Sequence, residues 1–191
     1  MEKKKKKELI EWGVLILVVG IVYLGGWHTQ LIGKFQQAVL YTGIIKPNQV
    51  AEAKPASYNF SLRDSQGNEI SFADLEGQVV FMNFWATWCP PCIAEMPDIH
   101  NLYKSQSDST RFFMISLDRD KQKAIDYVKE KDFTFPIYFL NSSLPKSYDI
   151  SSIPTTYVLS KDGNIVIENQ GMAKYNSDSF KSLLADLVEA D

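Results

Sequence analysis

The apolar positions divide the chain into unlike parts. Residues 14–24 are almost wholly aliphatic, and no Asp, Glu, Lys or Arg occurs between residues 12 and 33. An apolar span of about 20 residues crosses a bilayer as a helix. Leu31, Phe35, Ala38 and Val39 then recur at a spacing of three or four, which predicts a short amphipathic helix ended by Gly43 and Pro47. From Tyr58 the period changes. Tyr58, Phe60 and Leu62 alternate with polar residues, as on a half-buried strand, and turn residues 64–68 lead back into a short strand at Glu69 and Ile70. Ser71 opens a capped helical turn that Gly77 stops. Residues 79–85 are a nearly continuous apolar run, the pattern of a central strand buried on both faces. Pro90 and Pro91 suit a helix start, and the helix continues through Ile93, Met96, Ile99 and Leu102, with a kink expected at Pro97. Next come a strand at 112–117, a helix at 122–131 with Ala124, Ile125 and Val128 inward, and a strand at 137–140. Strands 155–159 and 165–168 flank Lys161, Asp162, Gly163 and Asn164, a strong hairpin signal. Residues 176–189 close the chain as an amphipathic helix. This succession predicts an α/β or α+β domain on a mixed sheet.

The pattern also sets an organisation. Residues 1–8 are a basic leader, 9–27 a transmembrane anchor, 28–56 a juxtamembrane connector ending in a linker at 48–57, and 57–191 the globular domain. The lysines at 3–7 precede the apolar span, so the positive-inside bias keeps them in the cytoplasm and sends the rest outside. Trp12, Tyr23 and Trp27 flank the span as interfacial rings do. A cleaved signal peptide has the same charge layout. Bulky Trp27 and His28 after Gly25 and Gly26 make a poor small-residue cleavage site, which favours the uncleaved anchor. The connector helix either lies on the membrane or packs on the domain.

Composition narrows the function. Of the 191 residues, 45% are hydrophobic and 13% aromatic, enough for a packed core. The net charge of −3, with no basic face beyond the leader, argues against nucleic acid. The chain has two cysteines, Cys89 and Cys92. A bridge across two residues closes too small a loop to stabilise a scaffold. A structural zinc site needs about four ligands, and the chain adds only His28 and His100, so no metal is expected. Redox chemistry is the better reading.

The placing of the pair supports it. Cys89 ends the loop after a buried strand and opens a helix, where free N–H groups and partial positive charge favour a thiolate. Such thiols have pKa values of ~3.5–7.5 instead of ~8.5. Cys92 lies one turn inside. Cys89 is therefore the exchanging sulfur and Cys92 the resolving one. Trp88, just before Cys89, is a candidate surface for substrate, whereas Trp85 is simpler as core. His100 and the Glu130, Lys131, Asp132 cluster read most simply as surface residues.

The run Phe84, Trp85, Ala86, Thr87, Trp88, Cys89, Pro90, Pro91, Cys92, continued by Ile93, Ala94, Glu95, Met96 and Pro97, closely resembles the thioredoxin superfamily signature. It is most similar to the membrane-anchored TlpA/ResA-like reductases, over roughly residues 57–190. The resemblance implies a thioredoxin-like α/β fold, with a mixed central sheet and helices on both faces, preceded by one N-terminal transmembrane helix. It implies that Ile153 and Pro154 form the family's cis-proline dipeptide, completing a substrate groove with Trp88, Pro90 and Pro91. Asn83 stands where cytoplasmic thioredoxins carry a buried Asp, and Asn cannot take a proton. The resembling reductases use a Glu three residues after the second cysteine, which here is Glu95. The resemblance further implies protein disulfide or dithiol clients, such as apocytochrome c, and a membrane electron donor of the CcdA/DsbD type. It places the catalytic domain on the periplasmic side of a bacterial inner membrane, with the anchor in the lipid bilayer, and requires no cofactor.

Other functions fit less well. A peroxide-reducing enzyme wants a lone activated cysteine in a Pro-x-x-x-Thr-x-x-Cys setting, which is absent. Copper chaperones of this fold use Cys-x-x-x-Cys with a distal His, and no His follows His100. A non-catalytic interaction module has no need of an intact dithiol. A thiol oxidase or disulfide isomerase remains open, because direction depends on reduction potential against the compartment.

Overall fold

The structure, a computed structural model, describes residues 2–24 and 27–190. Gly25 and Gly26 lie outside the described residues, as do the side chains of Lys3, Lys4, Lys6, Tyr23, Trp27, His28 and Leu31. The chain begins with helices α1 (Glu2–Leu24) and α2 (Trp27–Tyr41). Strands β1 (Gln49–Pro55), β2 (Ser61–Asp64), β3 (Glu69–Ser71) and β4 (Val80–Trp85) follow, with a 3-10 turn at Phe72–Leu75. The rest is α3 (Pro90–Gln106), β5 (Arg111–Ser116), α4 (Lys121–Glu130), β6 (Ile137–Leu140), β7 (Thr155–Leu159), β8 (Asn164–Gln170) and α5 (Asp178–Glu189).

One sheet of eight strands forms in the order β1-β8-β7-β4-β5-β6-β2-β3. It is mixed as expected: β4, β5 and β6 run parallel, and the other pairs are antiparallel. Every residue of β4 is buried, which is why its sequence is apolar without alternation. Phe81 and Trp85 point to one face and Val80, Met82 and Phe84 to the other. Residues directly opposite on β4 and β7 include Asn83 and Thr156.

The helices are distributed differently from the expectation of both faces. The buried side chains of α3, α4 and α5 (Met96, Ile99, Leu102, Ala124, Phe180, Leu184) all join the Phe81–Trp85 face. The reason is topological. Strands β4, β5 and β6 succeed one another in a single direction, so right-handed crossovers put α3 and α4 on the same side. The opposite face is closed by the 3-10 turn through Phe72 and Leu75 and by Tyr148 of the segment between β6 and β7. Phe60, Phe72, Phe113 and Tyr148 pack ring against ring there. Ser71 precedes the 3-10 turn but makes no side-chain cap bond.

One expectation at the N-terminus needs correction. Residues 49–55, read as linker, are strand β1, paired antiparallel with β8. Its side chains are almost all exposed, so backbone pairing orders it, with one exposed ion pair from Lys54 to Glu168 and no apolar period. In α1, the apolar stretch from Trp12 to Leu24 spans about 20 Å of helix, against about 30 Å of bilayer hydrocarbon. Among the described residues, no helix is long and apolar enough to cross a membrane. The connector helix α2 packs on the domain: it lies against α3, with Leu40 buried and Gly33 buried beside the Pro90 carbonyl.

Candidate active site

Cys89 caps the N-terminus of α3 and Pro90 and Pro91 occupy its first positions. The two prolines remove two of the N–H groups that a helix start leaves free. The Cys92 N–H remains, and it points at Cys89 Sγ at 3.3 Å. The polar end of the helix is thus concentrated on one sulfur, the arrangement that stabilises a thiolate. Cys89 and Cys92 are joined as a disulfide, with Cα atoms 5.3 Å apart. Cys92 is fully buried and Cys89 nearly so.

The predicted groove residues fall into two groups. Trp88 is 62% exposed beside the buried pair, as a recognition surface needs. Pro90, Pro91 and Ile153 are half-buried around the sulfurs, and Pro154 is buried behind them. The Ile153–Pro154 bond is cis, as the resemblance implied. The Ile153 carbonyl lies 3.7 Å from Cys89 Sγ. His100 is remote in role: its Nε2 accepts from the Thr134 N–H at 3.1 Å, and its ring packs against Phe133 and Phe135.

Glu95 is not a surface carboxylate. It is fully buried under α3. One oxygen accepts from Asn83 Nδ2 at 2.8 Å and the other from the Ala173 N–H at 3.1 Å. Asn83 Nδ2 also donates to Thr156 Oγ1 at 2.9 Å, while its Oδ1 has no partner. Burial pushes the Glu95 carboxyl up to about 8, against the pull of the two donors, and Asp98 adds repulsion. Asn83 cannot carry a proton, as the sequence implied, yet it aims the group that can.

Sequence reasoning missed Asp118. It is buried beside the loop leading to Cys89 and accepts from the Thr87 N–H (2.9 Å), Thr87 Oγ1 (2.6 Å) and Ser116 Oγ (2.9 Å). Its carboxylate ties the end of β5 to the 86–88 turn. Asp118→Ala leaves those donors unpaired and is expected to cost about 2–4 kcal/mol. Urea unfolding at pH 7 checks it; a loss under about 0.5 kcal/mol would show the turn to be held by packing alone. Among the described residues, no cluster of His, Cys, Asp or Glu could hold a metal ion.

Comparison with known proteins gives the family. The family model "Redoxin" matches residues 51–187. The thiol-disulfide oxidoreductase ResA of Bacillus cereus is 31% identical over 134 residues, covering 69% of this chain and 78% of that protein. ResA of Bacillus subtilis is 28% identical over 166 residues, covering 86% and 85%. The crystal structure of StoA from Bacillus subtilis superposes with a TM-score of 0.55 at 30% identity, covering 71% of this chain and all of that one. A DsbF homologue from Corynebacterium diphtheriae shares the fold, with a TM-score of 0.59 at 24% identity and coverage of 73% and 90%. A matching family model over most of the chain, a capped dithiol at a helix start and relatives of one activity lead to one conclusion: this chain belongs to the Redoxin family, as a ResA-like thiol–disulfide oxidoreductase.

Proposed function

We propose that this protein is a membrane-tethered reductase of protein disulfides, with its dithiol outside the cytoplasm. The observation that carries the redox reading is the Cys92 N–H directed at Cys89 Sγ at a proline-rich helix start. In this reading Cys89 exchanges with clients, Cys92 resolves, Glu95 handles the proton, and Trp88 with Ile153 and the two site prolines receives an extended client segment. Oxidised secreted proteins, apocytochrome c among them, are the client class. Electrons arrive from a membrane thiol donor of the CcdA/DsbD type, which restores the dithiol after each turnover.

Support for the tether comes from α1. Described residues from Ile10 to Ile21 carry large apolar side chains that are exposed around the helix with no protein cover. An apolar helix without a polar stripe belongs in lipid. The apolar part of α1 falls short of the bilayer core, and local thinning with snorkelling lysines at its start makes up the difference. Residues 1–8 form the cytoplasmic leader and 28–56 the connector in this organisation. Alkaline carbonate is expected to leave the full-length chain in the membrane pellet. Protease added outside cells with a permeable outer barrier is expected to remove the domain. A soluble protein with a new N-terminus near residue 27 would overturn the tether.

Direction is tested separately. The dithiol is expected to equilibrate nearer thioredoxin, at about −270 mV, than the strongly oxidising proteins near −120 mV. A potential at the oxidising end would make this protein a thiol oxidase.

A further inference from the structure

Three neighbouring strands carry polar side chains in one line across the sheet. Asn83 on β4 faces Thr156 on β7, and Thr156 faces Asn169 on β8. The first member holds Glu95. The last, 3% exposed, uses both ends of its amide. Asn169 Nδ2 donates to the Gly171 carbonyl at 2.6 Å and to Tyr175 Oη at 3.2 Å, and Oδ1 accepts from the Asn48 N–H at 3.1 Å. The line therefore runs from the dithiol helix to the connector between α2 and β1.

The loop at 171–175, gripped by Asn169, supplies the Ala173 N–H to Glu95. Two further contacts hold it. The Lys174 N–H donates to the Ile45 carbonyl of the connector at 3.0 Å. Asp98 of α3 accepts from the Tyr175 and Asn176 N–H groups at 2.7 and 2.8 Å. One loop is thus fixed to the active-site helix, to the edge of the sheet and to the connector, and one of its amides touches the buried carboxyl.

We propose that Asn169 is a positioning residue, through which the connector at 45–48 holds the 171–175 loop and keeps the Ala173 N–H on Glu95. This deepens the proposed function and rests on its reading of Glu95 as the proton-carrying group. A donor aimed at a carboxylate favours the charged form. Loss of the grip therefore shifts Glu95 toward the protonated form. The ionisable groups facing Glu95 are Asp98 one turn along α3, Tyr175 on the loop and Cys92 one turn before; Asn83 and Thr156 are neutral. Asn169→Ala leaves Asp98 and Cys92 as they are and removes one donor from Tyr175 Oη, which stays a neutral phenol across the range used.

The experiment uses the full chain, reduced, with thiol alkylation followed from pH 5 to 10. The parent is expected to show an inflection from Glu95 that Glu95→Gln abolishes. Asn169→Ala is expected to move that inflection upward by about one pH unit, a tenfold change in proton affinity. Its Ala173 and Lys174 amides are expected to exchange hydrogen faster than the parent's while the β4 amides do not. Should Asn169→Ala not fold, Asn169→Ser keeps one hydroxyl in place of two amide atoms and gives the same readout. An inflection that survives Glu95→Gln removes the underlying reading of Glu95. An inflection that Glu95→Gln abolishes but Asn169→Ala leaves in place, with Ala173 as protected as before, overturns the role of Asn169 alone.

Discussion

Cys92→Ser is expected to trap the enzyme on its clients. In the proposed cycle the Cys89 thiolate of the reduced protein attacks a client disulfide. The client S–S bond breaks, a Cys89–client bond forms, and the other client sulfur leaves as a thiolate. The Cys92 thiolate then attacks Cys89, closing the disulfide seen in the structure and releasing the reduced client. Serine at 92 cannot take that second step, so mixed disulfides accumulate and multiple turnover is lost. Cys89→Ser is expected to lose turnover equally but to trap nothing. The asymmetry follows from geometry: Cys89 sits at the helix cap with a backbone N–H on its sulfur, while Cys92 is sealed inside the first turn. Non-reducing gels after acid quenching separate the two outcomes. Alkylation of the single-cysteine variants near pH 6 adds a rate. Faster labelling of Cys92 than of Cys89 would reverse the roles.

The second large effect belongs to Glu95. The resolving thiol is buried, and burial raises a thiol's pKa. A base is needed nearby, and Glu95 is one turn along the same helix, held near 8 by its own burial. Glu95→Gln is expected to slow resolution by ~10²-fold, the low end for general acid–base catalysis. It is also expected to change stability against pH. The unfolded chain releases this proton near 4.5 and the folded one near 8. Protons bound preferentially by the native state make stability fall as pH rises. The contribution is full below 4.5, declines from there to 8, and is gone above. Urea midpoints of the parent should therefore fall across that window, and those of Glu95→Gln should not. Parental turnover in Glu95→Gln from pH 5 to 9 would return Glu95 to a structural part.

Much of this was legible in residue order. The buried strand, the dithiol and the helix behind it each have a strong local pattern, and β4 and α3 lie where that pattern puts them. Glu95 was legible as a position but not as an environment. One of its two hydrogen bonds comes from Ala173, 78 residues away, through a backbone N–H that no side chain announces. Asn169 lies on a strand with an ordinary alternating pattern, where one polar residue facing inward has no local signature. Strand β1 was illegible because its order comes from pairing with β8 and its side chains face water. The uneven distribution of helices follows from strand order, which a linear pattern of elements does not contain.

The pinned connector has a consequence for which molecules can be served. Residues 42–48 join α2 to β1 and could reach at most about 25 Å if drawn out. Their bonds at Ile45 and Asn48 take up that slack. Under the proposed tether, with α1 in the bilayer, the catalytic domain would work on a short leash. A thiol donor in the same membrane would then meet it at an effective concentration on the order of millimolar. Clients would be selected by where they emerge: a chain leaving an exporter beside the membrane would pass within reach, and one already adrift in the open compartment would not.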